Sequence, residues 1–384
     1  MKRYQFLIFL SVVFTIHFLI NYYILSRIEM GIDGTNLNHP LLQIIFWSLV
    51  SSYGLGRFLE RTPAWCVGTV FTWIGAFWFA FMMYGFLYVL LIDIVRIIVV
   101  LISLITANAI SWPDQMPFIL FAGGLILVFL LIISGHINAV SPVIRKQKIL
   151  LNKGLNKDLR IAMVSDIHLG TIIKNRRLGR LVKKINATNP DLILLAGDIV
   201  DEDIAPVIRH NMGKQLEKLH APLGIFGITG NHEYIGGAEQ AVDYLSKHGV
   251  RILRDEALLI NNSFYLIGRE DHDSRRFDGS TRKSLKNLMV SIDQNKPTIL
   301  LDHQPYAIEE KADLGFDLSL SGHTHHGQLW PLNFITRAVF KISHGYKKIN
   351  NSHFYVSCGV GSWGPPVRLG SRPEIVVLEV EIAH

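Results

Sequence analysis

The chain has 384 residues, 49% of them hydrophobic, and carries 38 Lys and Arg against 31 Asp and Glu, a net charge of +7. Its two cysteines are too few for a disulfide framework or a zinc site built from cysteines. The sequence contains no basic block of the kind that binds nucleic acid.

Charge divides the chain into two unlike halves. Residues 1–140 contain 6 Lys or Arg and 5 Asp or Glu, whereas the remainder contains 32 and 26. The first half therefore has the low charge density of a membrane domain, and the second has that of a soluble domain. The positive excess of the second half suits an anionic membrane surface or an anionic substrate.

Four apolar runs in the first half each reach or approach the ~20 residues that a membrane helix needs. They cover residues 4–25, 40–56, 64–105 and 118–134. No small-residue cleavage site follows the first run, so we interpret it as a span and not as a signal peptide. The sequence therefore predicts a multi-pass α-helical transmembrane domain over residues 1–140, held in the cell membrane.

The third run is too long for one span and leaves two interpretations open. Either one span lies within residues 64–92 and an interfacial stretch follows, or two spans hinge near Gly85 and the total is five. Asp93 and Arg96 can pair on one helix face or form a functional site within the membrane. With four spans, which we prefer, Lys and Arg gather on one side and predict that the second half of the chain is cytoplasmic. Five spans would place it outside.

Residues 141–158 are predicted to form a basic tether, within which residues 144–151 have the pattern of an ordered segment. Lys146, Lys148, Lys153 and Lys157 lie on it, each placed to contact anionic headgroups at about 1 kcal/mol. A short tether of this kind would keep the second half near the bilayer surface.

From residue 159 onward, short apolar runs alternate with helical stretches and turn residues, which predicts an α/β domain over residues 159–384. The predicted helices cover residues 176–189 and 238–248. The predicted strands cover residues 160–165, 192–196, 224–229, 264–267, 298–301, 318–321, 354–357 and 375–380.

Polar motifs follow five of these strands. In chain order they are Asp-x-His, Gly-Asp-x-x-Asp, Gly-Asn-His-Glu, Asp-His and Gly-His-Thr-His. Each motif alone is common in turns and on surfaces. Their combination, always directly after an apolar strand, predicts a metal site, because sites in α/β sheets form beyond the carboxyl ends of strands. Asp, Asn and His are also the ligands of borderline divalent metals.

Together these motifs resemble the calcineurin-like metallophosphoesterase superfamily over roughly residues 145–384. The resemblance implies two mixed β-sheets packed face to face between outer layers of helices. It also implies two divalent ions, manganese, iron or zinc, with seven ligands. One ion would take Asp166, His168 and His325, the other would take Asn231, His303 and His323, and Asp198 would bridge them. The segment around Arg368 resembles a membrane-associated bacterial branch of the superfamily.

Further residues are assigned by their place beside these ligands. His232 follows Asn231 but belongs to neither metal's set, so it is predicted to be the general acid that protonates the leaving group; orienting a ligand is the alternative. Asp201 and Glu233 are expected to hydrogen-bond ligand histidines. Arg368 is expected to bind a substrate phosphate by its guanidinium fork, or else to lie on a solvated loop.

The sequence therefore predicts a membrane-anchored enzyme that hydrolyses a phosphoester or pyrophosphate by attack of a metal-bound hydroxide. A catalytically silent membrane sensor or scaffold is the alternative, which the complete ligand set disfavours. The expected partners are membrane lipids and a phosphorylated small molecule or lipid, with no nucleic acid. Some proteins that this chain resembles act on lipid-linked pyrophosphates such as UDP-diacylglucosamine, and a phosphodiesterase of soluble nucleotides is the rival class.

Overall fold

The computed structural model describes residues 3–35, 37, 39–107, 112–155 and 157–382, and the chain forms two compact units. One unit comprises Met1–His136 with Gly364–Val367, and the other comprises Ile137–Trp363 with Arg368–His384. Residues 1, 2, 383 and 384, at the outer ends of the predicted domains, lie outside the described residues.

Four helices precede the first strand in the described part of the chain. They are α1 (Arg3–Ile32), α2 (His39–Leu59), α3 (Trp65–Thr106) and α4 (Met116–Ala139). Three of them, α1 from Leu7, α3 and α4, are long and apolar enough to cross a membrane. Helix α2 coincides with the second predicted span but is not one of these three, so the number of crossings stays a prediction.

Helix α3 runs without a break through Gly85, unlike the alternative in which two spans hinge there. Its 42 residues correspond to about 63 Å at 1.5 Å per residue, roughly twice the ~30 Å hydrocarbon thickness of a bilayer. Inside this helix Asp93 pairs with Arg96 at 3.4 Å, as the three-residue spacing predicts. Arg27 of α1 also contacts Asp93 at 2.7 Å, and the Tyr23 hydroxyl donates to it at 2.5 Å.

The second unit contains two six-stranded sheets. The first has the order β1-β12-β2-β3-β4-β5 and the second β10-β11-β9-β8-β7-β6. The first sheet comprises β1 (Val143–Leu151), β2 (Leu159–Val164), β3 (Leu192–Ala196), β4 (Ile225–Ile228), β5 (Arg251–Ile252) and β12 (Glu374–Ile382). The second comprises β6 (Glu256–Ile260), β7 (Phe264–Gly268), β8 (Thr298–Leu301), β9 (Leu318–Ser321), β10 (Gly345–Ile349) and β11 (Ser352–Val356). All eight predicted strands are present, and both sheets mix parallel and antiparallel pairs.

The alternation of side chains along β2 shows how the layers are built. Ile161 and Met163 enter a core that also contains Leu301 and Leu320 of the second sheet, so the two sheets pack face to face. Ala162 and Val164 point the other way, into a core shared with helices. Burying each large apolar side chain contributes about 1.5–3 kcal/mol, which fixes both faces of the strand.

Helices cover both outer faces of this sandwich. They are α5 (Asn175–Asn186), α6 (Ala205–Arg209), α7 (Gly213–Leu216), α8 (Asn231–Gly236), α9 (Ala238–Lys247), α10 (Ser274–Phe277), α11 (Leu285–Met289), α12 (Ile308–Asp313) and α13 (Leu332–Val339). Helix α5 buries Leu178, Leu181, Val182 and Ile185, spaced as one face of a helix, against the first sheet. Helix α11 packs on the second sheet in the same way. The predicted fold class is confirmed.

The segment that we expected to be a basic tether contains the edge strand β1. This strand pairs in parallel with β12, from Val143 opposite Glu374 to Leu151 opposite Ile382. Three lysines of the segment 141–158 pair with acidic side chains: Lys148 of β1 with Glu381, and Lys153 and Lys157 after the strand with Asp317 and Asp191. These ion pairs compete with the lipid headgroup contacts that the sequence predicts for the same lysines. The linker between α4 and β1 consists only of residues 140–142.

Candidate metal centre

Segments that follow five strands bring the predicted ligands together. The strands are β2, β3 and β4 in the first sheet and β8 and β9 in the second, and they follow one another in the chain as predicted. Carboxyl ends of parallel strands lie at one edge of a sheet, where sites form. The seven side chains are Asp166, His168, Asp198, Asn231, His303, His323 and His325.

Asp166, His168 and His325 form a first cluster. Their ligand atoms lie within 4.8 Å of one another, and all three residues are buried. His325 Nε2 lies 3.1 Å from His168 Nε2 and 3.5 Å from Asp166 Oδ1. A carboxylate and two imidazoles that converge at these distances fit a divalent transition-metal ion.

Asp198, His303 and His323 form a second cluster of the same size. His303 Nε2 lies 3.1 Å from Asp198 Oδ2. Asn231 joins this cluster, because its Oδ1 lies 2.8 Å from His323 Nδ1. The second cluster therefore offers two imidazoles, one amide oxygen and one carboxylate.

Asp198 lies between the two clusters. Its Oδ2 is 3.1 Å from His303 Nε2 and 3.9 Å from His168 Nε2, so one carboxylate faces a histidine of each cluster. The geometry therefore allows Asp198 to contact two ions at once, as a bridging ligand does.

The buried polar atoms of the site fit a bound cation. Asp166 Oδ2 is buried and has no hydrogen-bond partner among the described residues. An unpartnered buried acceptor is costly unless an ion or water satisfies it. His168 Nε2 and His325 Nε2 lie 3.1 Å apart, so both nitrogens face the same point beside Asp166. A divalent ion there would satisfy the Asp166 carboxylate, so the residues present fit a metal.

Backbone strain is concentrated at the ligands. Five of the seven are non-glycine residues in the left-handed region: Asp166 (φ 53°), His168 (52°), Asp198 (50°), His323 (69°) and His325 (46°). Non-glycine residues rarely adopt this conformation, which costs about 1–3 kcal/mol per residue. The surrounding fold stabilises it here, and such strain is typical of functional sites.

The glycines that precede two of the ligands allow close approach. A Cβ at Gly230 would meet the carboxylate of Asp198, and a Cβ at Gly322 would meet Asp166 Oδ2 and the Ser165 side chain. Both positions therefore require glycine for the loops to pack around the site. This explains why the Asn and His motifs each begin with one.

The charge states of the buried groups also bear on metal binding. Burial acts to raise the pKa of Asp198, but His303 and His232 outweigh it and hold that pKa well below its usual range. Burial and the neighbouring His303 lower the pKa of His323 to about 3, so this imidazole is neutral. Burial acts to lower the pKa of His303, but Asp198 raises it above its usual value. An ion at His303 would therefore displace a proton.

His232 lies at the edge of both clusters. Its Nδ1 is 2.9 Å from Asp201 Oδ1, and its ring stands edge-on to that of His168 with centroids 4.5 Å apart. Burial acts to lower its pKa, but Asp198 and Asp201 raise it to about 9. Asp201 also lies 3.5 Å from His168 Nδ1, so this carboxylate contacts a ligand histidine as expected.

Glu233 acts on the backbone and not on a histidine, unlike our expectation. Its carboxylate accepts hydrogen bonds from the N–H groups of Gly230 at 2.7 Å, Val200 at 2.8 Å and Asp198 at 3.2 Å. The buried carboxylate thereby joins the loop after β3 to the loop after β4. The sequence could not show this, because backbone partners leave no motif.

Arg368 is fully buried, which contradicts its predicted contact with substrate. Its guanidinium donates to the carbonyls of Gly361 and Cys358, at 2.6 Å and 2.7 Å. Its NH2 group also lies 2.9 Å from His325 Nδ1, so it orients a ligand histidine. The guanidinium therefore bonds groups of the protein, and its contact with His325 holds that histidine in position.

Sequence reasoning missed the apolar wall of the cleft in front of the clusters. This cleft, with a volume of about 390 Å³, is lined by His232, His323 and His325. Leu332, Ile335, Phe340 and Trp363 also line it, and the rings of Phe340 and Trp363 lie beside those of His323 and His232. The spacing of the apolar residues after position 330 could have indicated a helix, but it gives no sign that the helix borders the metal ligands.

A two-sheet α/β sandwich whose strand ends bring Asp, Asn and His side chains together fits a metal-dependent hydrolase. Residues 159–327 match the family model described as calcineurin-like phosphoesterase. An uncharacterized metallophosphoesterase of Aquifex aeolicus is 35% identical over 226 residues, which cover 58% of this chain and 85% of that protein.

Two other relatives extend the comparison. An uncharacterized metallophosphoesterase of Helicobacter pylori strain J99 is 35% identical over 62% of this chain and 64% of its own length. A Danio rerio protein named "Transmembrane protein with metallophosphoesterase domain" is 31% identical over 65% of this chain and 60% of its own length. The chain thus spans less than two thirds of these two relatives.

The chain belongs to the calcineurin-like metallophosphoesterase family, which confirms the resemblance drawn from its motifs. It is therefore a metal-dependent enzyme that acts on phosphate esters or anhydrides. Its apolar helices indicate association with a membrane.

Proposed function

We propose that the chain is a membrane-anchored phosphoesterase that uses two divalent ions to hydrolyse a lipid-linked phosphoester or pyrophosphate. The position of Asp198 between two clusters of ligand-type residues supports a dinuclear site. When bound, the ions would neutralise phosphate oxygens and lower the pKa of coordinated water. Asp166, His168 and His325 would hold one ion, and Asn231, His303 and His323 the other.

His232 would supply the proton to the leaving group. Its Nδ1 bonds the Asp201 carboxylate, which fixes the ring and leaves Nε2 for the cleft. His232 lines the cleft that a substrate would enter. A proton held at Nε2 can pass to the leaving oxygen, which is the role of a general acid.

The apolar wall of the cleft favours a substrate with acyl chains. Leu332, Ile335, Phe340 and Trp363 contribute apolar surface next to the polar ligands, so the cleft is amphipathic. A lipid phosphate presents a charged group and an apolar chain in the same arrangement. A soluble nucleotide phosphodiester is the second candidate, because the rings of Phe340 and Trp363 could stack on a base.

A chain-length series tests the substrate class. The full-length protein, loaded in turn with Mn²⁺, Fe²⁺ and Zn²⁺, is assayed in mixed micelles on phosphoesters that share one headgroup and differ in acyl length. We expect kcat/KM to rise by up to about fourfold per methylene that reaches the wall, from ~0.8 kcal/mol per buried CH₂. A flat series, with a nucleotide phosphodiester as the best substrate, would contradict the lipid proposal.

We also propose that the catalytic unit lies in the cytoplasm. The support is the bias of Lys and Arg toward one side in the four-span interpretation. A reporter fused after residue 384 should then be active when it is a cytoplasmic reporter and silent when it requires export. Protease digestion of the catalytic unit in intact cells would reverse the orientation.

A further inference from the structure

Helix α13 exposes apolar side chains next to the catalytic cleft. Phe334 is 57% exposed, and Ile335 and Val339 are each 59% exposed. Trp330 precedes this helix, and Trp363 lies on the loop that shares the cleft with it; they are 52% and 55% exposed. We call these five residues, together with Leu332, the apolar ridge.

Single exposed apolar residues are normal on a protein surface, but a contiguous group is not. Leu332, Ile335 and Val339 lie on one face of α13 at spacings of three and four residues. Larger apolar patches with a polar rim mark sites of interaction with proteins, ligands or membranes. The apolar ridge therefore needs an occupant in the working enzyme.

The charge of the sequence segment that contains most of the ridge indicates the chemistry of that occupant. No Asp or Glu occurs between Asp317 and Glu374, whereas six basic residues do. They are Arg337, Lys341, Lys347, Lys348, Arg368 and Arg372; of these, Arg368 is buried and Lys341 pairs with Glu309. Arg337, Lys347 and Lys348 are exposed. A surface that combines exposed tryptophan and aliphatic residues with basic side chains fits the boundary between headgroups and acyl chains of an anionic bilayer.

We propose that the apolar ridge inserts into the headgroup region of an anionic membrane. The chain already contains helices that can cross a membrane, and only residues 140–142 lie between α4 and β1. A lipid surface is therefore present wherever the catalytic unit is. Exposed tryptophans are typical of this depth, because the indole ring has an apolar body and a polar N–H group.

Insertion would also connect the bilayer to the metal centre. Leu332, Ile335 and Trp363 belong to both the ridge and the cleft that holds His232 and His323. A lipid beside the inserted ridge could present its phosphate to the cleft without leaving the bilayer entirely. This second step rests on the proposed function, whereas insertion itself does not.

Insertion is measured with a fluorophore at defined positions of the full-length protein in vesicles of anionic and zwitterionic phospholipids. Cys66 is first replaced by Ser; Cys358 is buried and stays. Single cysteines at Phe334→Cys and Val339→Cys carry an environment-sensitive dye. Val290→Cys is the matched control, since Val290 is an apolar residue of the same unit and is 79% exposed. Turnover of a soluble aryl phosphoester verifies that each labelled protein is folded.

We expect dyes at 334 and 339 to emit at shorter wavelength and to be quenched by lipids with a shallow nitroxide, while the dye at 290 does neither. Equal behaviour at all three positions would overturn the inference. A change that depends on the protein-to-lipid ratio and not on nitroxide lipids would also overturn it, and would assign the ridge to a second copy of the chain.

Charge variants provide a second readout. Lys347→Gln with Lys348→Gln should shift the balance between inserted and withdrawn ridge by roughly 30-fold in anionic vesicles, from about 1 kcal/mol per charge. Lys214→Gln with Lys286→Gln, two exposed lysines elsewhere on the unit, should have no effect. An equal shift from both pairs of substitutions would show that Lys347 and Lys348 have no specific effect on insertion. It would overturn the proposed role of these two lysines in binding the anionic membrane.

Rates of hydrolysis distinguish the insertion of the ridge from the proposal of a lipid substrate. Phe334→Asp with Val339→Asp should lower the rate on vesicle-borne lipid by tenfold or more, from the loss of about 1.5 kcal/mol or more of apolar burial, and leave the soluble aryl phosphoester unaffected. Val290→Asp should change neither. Quenching at 334 and 339 without lipid hydrolysis would support insertion of the ridge and contradict the proposed lipid substrate. Lipid hydrolysis without quenching would support the lipid substrate and overturn insertion of the ridge.

Discussion

Replacing Asp198 by alanine is expected to remove most of the bound metal and to lower turnover by on the order of 10³-fold or more. Its carboxylate faces His303 of one cluster and His168 of the other, so both proposed ions would lose a ligand together. Metal-bound enzymes of this type obtain several kcal/mol of transition-state stabilisation from their ions. The Asp198 carboxylate also accepts the His232 N–H at 2.9 Å, so its removal loosens the adjacent loop.

The measurement is metal content per chain by elemental analysis, alongside turnover of an aryl phosphoester. Asp203→Ala is the matched control, because Asp203 lies on the same loop and belongs to neither cluster. It should keep both metal and activity. Full metal occupancy in Asp198→Ala would falsify the bridging role, and loss of only one ion per chain would assign Asp198 to a single ion.

The convergence of the candidate ligands could be predicted from the sequence because each one lies just after an apolar strand. Strand ends are visible as a change from apolar residues to glycine and polar residues, as at Gly197 and Asp198. The topology then places such loops at the same edge of a sheet without further information. This part of the site depends on local sequence and a general rule of α/β folds.

The residues that support the ligands could not be predicted in the same way. Arg368 contacts His325 across 43 positions of sequence, and Glu233 contacts Asp198 across 35. These contacts depend on how loops from distant segments pack, which no periodicity encodes. Residues 144–151 were expected to be ordered, but their pairing as an edge strand of the first sheet could not be predicted, since the partner Glu374 lies more than 200 residues after Val143.

Replacing His232 by alanine should separate metal binding from proton transfer. The bond from the His232 backbone N–H to Asp198 does not involve the side chain, so the loop geometry should survive the substitution. Metal content should therefore stay near that of the unmodified protein. The rate on an alkyl phosphoester, whose leaving group needs a proton, should fall by on the order of 10²–10⁴-fold.

The same variant should lose much less on an activated aryl phosphoester, because a stable phenolate leaves without protonation. Two control variants accompany this measurement, one expected to have no effect and one expected to have a smaller effect. His272→Ala removes an exposed histidine and should change neither rate. Asp201→Asn weakens the hydrogen bond to His232 Nδ1. It should lower the rate less than His232→Ala does, and again more on the alkyl ester than on the aryl ester. Equal losses on alkyl and aryl esters in His232→Ala would instead assign this histidine to positioning of the ligands, since that role does not depend on the leaving group.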